Sequence, residues 1–147
     1  MLARVLIFVA LAFCAGFAGA EERYGPQKVV YHINKLGGEE NKAYGAALTN
    51  IRNHVAAVGA DNIHVKVVLH GDGVELLRQA VTDTALQMSV TDLKSQNVQF
   101  LVCNNTLEGR EIDPDADLFE VFEEDIVPSG VAELSHLQQQ GYTYVKP

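Results

Sequence analysis

Apolar and polar positions switch between two periods along this chain, and the switches mark its elements. From Lys28 to Asn34 the run "KVVYHIN" is dense in β-branched and aromatic residues, which predicts a strand. After the Gly37-Gly38 break the apolar positions become Tyr44, Leu48, Ile51, Val55 and Val58, spaced by four and three. That spacing lays one apolar stripe along a helix, with Glu39 and Glu40 in its first turn and Gly59 just past its end. A second strand, Ile63 to His70, closes on "GDG". A short helix from Val74 to Ala80 follows, then a longer one from Asp83 to Gln96 that turns Leu86, Val90 and Leu93 inward.

"VQFLVC", Val98 to Cys103, is the third strand and the most continuously apolar. The acidic stretch from Glu111 to Asp125 carries Leu118, Phe119, Val121 and Phe122 and reads as a short helix. The two phenylalanines suit either the core or a contact between subunits. "DIVPSG" reads as a brief fourth strand. Val131 to Gln140 reads as a helix capped by Ser129 and closed by Gly141, and "YTYVK" as a last strand.

Apolar strands alternating with helices imply the α/β class. The expected architecture is three-layered, α/β/α, around a mostly parallel sheet of four to five strands. Right-handed crossovers carry every strand-to-helix loop to one edge of such a sheet, where its ligands bind. That edge collects His32 and Asn34 from the first strand, His70 and Asp72 from the second, and Cys103, Asn104 and Asn105 from the third. Ser129 opens the last helix from the same side.

The amino terminus changes the setting. Met1 to Arg4 carries one positive charge, Val5 to Phe17 is almost wholly apolar, and Ala18-Gly19-Ala20 offers small residues to a signal peptidase. Residues 1–20 read as a cleavable export signal, 21–27 as a leader and 28–147 as a single domain. The apolar run is short for a membrane span. Removing the signal takes Cys14 with it and leaves Cys103 as the lone thiol, so the mature chain forms no internal disulfide. The formal charge of −8, and the lack of any Lys/Arg cluster, argue against nucleic acid and anionic membrane as partners.

Cys103 stands at the mouth of a helix, where unpaired N–H groups and the helix dipole favour thiolate over thiol. Its alternative role is that of a small buried hydrophobe. His70, in "HGDG", is the candidate acid or base, with Asp72 to orient it; equally, "HGDG" reads as a plain turn. His32, His70 and Cys103 are chemically suited to zinc or copper, but no close-spaced ligand pair supports a metal, and none is expected. No phosphate-binding glycine motif is present, so no nucleotide cofactor is expected. Asn104-Asn105-Thr106 has the form of a glycosylation sequon. His54 and His136, in mid-helix, read as solvated.

The segments "KVVYHIN", "VVLHGDGVELL", "NVQFLVCNNTL" and "PSGVAELSHLQQQGYTYVKP", in that order, resemble the exported branch of the DsrE/DsrF-like sulfur-relay family over nearly all of the expected mature chain. The resemblance implies a three-layer domain, a homo-oligomer, and sulfur carried as a persulfide on a cysteine placed where Cys103 is. With an export signal, it implies a periplasmic sulfur-handling protein that meets a sulfur donor and an acceptor thiol. The contrasting expectation is a binding module for a small anion or metal, with Cys103 structural.

Overall fold

The computed structural model describes residues 23–147; the expected signal segment lies outside the described residues. Five strands form one parallel sheet: β1 (Gln27–Ile33), β2 (Ile63–Leu69), β3 (Gln99–Cys103), β4 (Ile126–Val127) and β5 (Thr143–Val145). Their order across the sheet is β4-β3-β2-β1-β5, every pairing parallel. The fold is α/β, as expected. No helix among the described residues is long and apolar enough to cross a membrane.

The helices are α1 (Lys42–Val58), α2 (Glu75–Gln79), α3 (Thr84–Ser95), α4 (Asn104–Gly109), α5 (Pro114–Asp117) and α6 (Gly130–Gln139). The stripe on α1 buries Tyr44, Leu48, Ile51, Val55 and Val58, and α3 buries Leu86, Val90 and Leu93. Burying each such side chain contributes roughly 1.5–3 kcal/mol before entropy is counted. Tyr31 and Ile33 lie under these helices in the core.

Strand parity divides the core. Val29, Tyr31, Ile33, Val65, Val67, Leu69, Phe100 and Val102 face α1 and α3 in the larger cluster. Val30, Val68 and Leu101 face the other way and meet Leu134 and Leu137 of α6. The steps β1 to β2, β2 to β3 and β3 to β4 all advance in one direction, so their helices share a face. The return from β4 to β5 crosses the whole sheet and puts α6 on the second face.

Three expectations are corrected. Glu39–Asn41 is a 3-10 turn rather than the start of α1, because Glu40 and Asn41 adopt left-handed backbone (φ 50° and 55°). Asn41 Nδ2 donates to Asp83 Oδ2 at 3.1 Å, a tertiary tie that holds the irregular entry. Between Leu118 and Phe122 the chain is not helical: α5 ends at Asp117 and only a 3-10 turn, Glu123–Asp125, follows. Leu118 and Val121 are buried there, while Phe122 is 57% exposed. Lastly, His54 is half-buried rather than solvated, its Nδ1 2.8 Å from the Tyr31 hydroxyl and its Nε2 2.7 Å from Gln27 Oε1. His136 is exposed, as expected.

Candidate functional site

Cys103 ends β3 and is the N-cap residue of α4, which starts at once with Asn104. Its parity is that of Leu101, so its side chain lies on the α6 face. There it meets Gly130, the first residue of α6. A Cβ built on Gly130 would stand 2.9 Å from His70 Cβ, 3.3 Å from Cys103 Cβ and 3.3 Å from His70 Cδ2. Only glycine lets the helix start this close, and the same contact shows that His70 and Cys103 flank one point. No hydrogen bond joins His70 to the sulfur among the described residues.

The Cys103 side chain is nearly enclosed, the residue being 5% exposed. Burial raises a thiol pKa, yet that of Cys103 falls below its ordinary value. The Gly130 N–H, the Thr106 hydroxyl and the N–H groups of Thr106 and Asn105 together outweigh burial. Cys103 makes no conventional side-chain cap bond. Among the described residues none of these groups makes a hydrogen bond of ordinary geometry to the sulfur; they act on it as nearby dipoles.

His70 continues into a three-membered chain. Its Nε2 is 2.7 Å from His32 Nε2, and His32 Nδ1 is 2.6 Å from the Tyr144 hydroxyl. The two rings are within 20° of parallel with centroids 4.8 Å apart. Since the nitrogens are so much closer than the centroids, the rings meet end-on rather than face to face. One proton fits between the two Nε2 atoms, so a neutral pair donates from one ring to the other. His32 is held down at about 4 by burial first, then by His70 and by Lys146. His70 is also lowered, by burial and then by Lys146.

The other expected residues fall into different roles. Asp72 makes no side-chain hydrogen bond to His70 among the described residues; its Oδ1 accepts from Arg110 Nη2 at 2.8 Å, as an ion pair. Gly73 packs against the end of β1 so closely that a Cβ would lie 1.9 Å from the Ile33 carbonyl oxygen. Asn34 Oδ1 accepts from Lys146 Nζ at 2.9 Å. Asn104 Nδ2 donates to Glu108 Oε1 at 2.8 Å, while the Asn105 side chain is exposed. Ser129 Oγ accepts from Ala132 N at 3.4 Å and caps α6.

Among the described residues no group of three or more His, Cys, Asp or Glu side chains is placed to hold a metal. A cavity of about 150 Å³ is lined partly by His32, Leu36, Tyr44 and Lys146. A larger one, about 680 Å³, is lined by Ile63, Lys66, Gln99 and Tyr142 at the opposite edge of the sheet. The small cavity reaches the site only through His32, and neither cavity is lined by Cys103 or His70. Thr106, Gly130 and Tyr144 were not among the expected site residues. Tyr144 enters only because β5 pairs with β1.

A parallel three-layer domain with a buried free thiol at its carboxyl edge defines the class. The chain belongs to the DsrE/DsrF-like family, whose model matches residues 28–147. It is similar in structure to the protein of unknown function MTH1491 from Methanobacterium thermoautotrophicum, with a TM-score of 0.68 and 32% identity. The match covers 82% of this chain and 99% of that one. No curated protein matches the chain.

Proposed function

We propose that this protein carries sulfane sulfur as a persulfide on Cys103, after export to the periplasm through the signal read in residues 1–20. The observation that carries the reading is the place of Cys103, at a helix start against Gly130 and beside His70, with its thiol pKa held below the ordinary value in spite of burial. Membership of the DsrE/DsrF-like family supports a role related to sulfur relay.

The step balances without an oxidant. The Cys103 thiolate attacks the outer sulfur of a donor persulfide, R–S–SH. The donor S–S bond breaks and its electron pair leaves with R–S⁻, which takes up a proton; Cys103 becomes the persulfide. Attack by an acceptor thiolate on the outer sulfur reverses the sequence and returns Cys103. Donors that stabilise a thiolate also stabilise the persulfide anion. His70 is the group placed to handle the proton, with His32 and the 41% exposed Tyr144 linking it toward solvent.

The test is intact mass after incubating the mature protein with polysulfide. Uptake of one sulfur by wild type and none by Cys103→Ser is expected; uptake by the variant defeats the reading. The 5% exposure of Cys103 favours the contrasting role, a binding module in which the cysteine is packing. Native-state alkylation separates the two, since a structural thiol reacts only after unfolding. A homo-oligomer belongs to the same proposal. Lys28, His64 and Gln99, on the α6 face, are exposed, whereas parallel sheets are as a rule covered on both faces. Light scattering checks it.

A further inference from the structure

His32 has both ring nitrogens engaged, one with the Tyr144 hydroxyl and one with His70. To the small cavity beyond it, His32 therefore presents a ring wall rather than a free donor. That cavity, of about 150 Å³, has an apolar floor in Ile33, Tyr44 and Ala47, all buried. The Tyr44 ring is held in place. Its hydroxyl donates to the Asp72 carbonyl at 2.8 Å, and Gly37 lies against the ring where any Cβ would collide. Leu36 and Ala43, both exposed, stand at the open side.

The charged side chains lining the cavity are of one sign. Lys35 and Lys146 line it and no Asp or Glu does, in a chain whose formal charge is −8. Neighbouring cations are engaged elsewhere: Lys42 with Glu40 at 3.1 Å, and Arg110 with Asp72. Among the described residues neither Lys35 nor Lys146 pairs with a carboxylate. Lys146 Nζ donates one hydrogen to Asn34 Oδ1 at 2.9 Å, which fixes the ammonium beside a lining residue. Two of its three hydrogens remain to be given.

We propose that this cavity binds a short unbranched organic monocarboxylate, with its chain on the Ile33–Tyr44–Ala47 floor and its carboxylate on Lys146, Lys35 beside it. Size and polarity set the class. An apolar cavity of about 150 Å³ takes a benzene-sized body, about six non-hydrogen atoms, and butyrate has that number. An inorganic anion would lose hydration over the apolar floor without gaining hydrogen bonds there. Because the cavity is lined by neither Cys103 nor His70, binding there is independent of sulfur carriage. The ordinary alternative, two surface lysines attracting any anion, is screened by salt and indifferent to chain length.

NMR titration of the whole mature protein with butyrate, at constant ionic strength, decides. Saturable shifts are expected at Ile33, Leu36, Ala43 and Ala47. Acetate is expected to bind more weakly, by about fourfold for each methylene removed and about fifteenfold in all. n-Butylamine, of similar length and opposite charge, is expected to move none of these signals. Lys146→Met keeps the stem, removes the charge and is expected to weaken butyrate by about tenfold, the low end for a hydrogen bond to a charged group. Ala43→Leu fills the open side from an exposed helical position and is expected to abolish binding. The remaining signals of each variant report that its fold is intact. Absence of saturable shifts overturns the proposal, as do shifts that phosphate reproduces, an affinity indifferent to chain length, or a variant of either kind that binds like wild type. Polysulfide uptake by the same protein is read separately, so sulfur carriage and carboxylate binding each stand or fall alone.

Discussion

Replacing Gly130 by alanine probes the close approach that builds the site. The new Cβ would stand 2.9 Å from His70 Cβ and 3.3 Å from Cys103 Cβ. Both neighbours are Cβ atoms, fixed to backbone at the ends of β2 and β3, so neither swings aside as the tip of a long side chain would. Two effects oppose each other. Alanine exceeds glycine in helix propensity by up to about 1 kcal/mol, and less at a first helical position such as this one. Overpacking against fixed atoms costs about 1–3 kcal/mol. Overpacking wins, and a net destabilisation of about 1–2 kcal/mol is expected. If α6 slides outward to relieve the contact, the Gly130 N–H leaves the sulfur and the thiol pKa rises. Urea unfolding reads the first effect, and the pH profile of native alkylation reads the second on the same sample. Gly45→Ala is the control: nothing lies within 4 Å of its Cβ at the fourth position of α1, so a gain of up to about 0.5–1 kcal/mol is expected. A Gly130→Ala protein with unchanged unfolding midpoint and unchanged thiol profile would refute the reasoning.

The histidine pair gives stability a defined pH dependence. With its folded pKa depressed from 6.5 to about 4, His32 binds fewer protons folded than unfolded in that window. Stability is therefore fully present above about 6.5 and falls as pH drops toward 4. Solvent screening at this part-exposed site reduces the expected loss to about 1–2 kcal/mol. Urea midpoints at several pH values should show the slope, and His32→Gln should flatten it. Leu137→Ala removes a side chain that is 1% exposed, from the smaller cluster beneath α6. A loss of about 2–4 kcal/mol in urea unfolding is expected. Ser129→Ala removes the cap of α6 and should cost about 1 kcal/mol by the same measurement.

The elements that the sequence reveals are those whose periodicity is long enough to average over exceptions. The α1 stripe runs for four turns, and β1, β2 and β3 are runs of apolar residues closed by polar ones. What escaped is set by contacts between distant residues. Nothing local marks Glu40 and Asn41 as left-handed; the tie from Asn41 to Asp83 does that. His54 looks solvated beside its helical neighbours, but Tyr31 and Gln27 reach it from β1. The acidic run after Glu111 mimics a helix because its apolar residues are clustered, while their burial follows the surface of α2 and α3 instead: Phe119 N donates to the Leu77 carbonyl.

The candidate site was legible in its sulfur and its two histidines but not in their wiring, and the reason is topological. Which residues reach the carboxyl edge follows from strand ends alone, so Cys103, His70 and His32 could be gathered before any coordinates. Which face they share depends on parity, and which groups oppose them depends on strand order. The order β4-β3-β2-β1-β5 sends α6 across the second face, starting beside β3 and ending near β5. Its first residue therefore comes to rest over Cys103 and His70, and the strand that follows it brings Tyr144 to His32. Slipping β3 by one residue against β2 would reverse every side chain on it. Cys103 would then point among Leu69 and Leu107, away from Gly130 and both imidazoles. The pairing of Leu69 with Val102 is thus as much a part of the site as the sulfur, since it decides whether that sulfur meets hydrogen-bond donors or hydrocarbon.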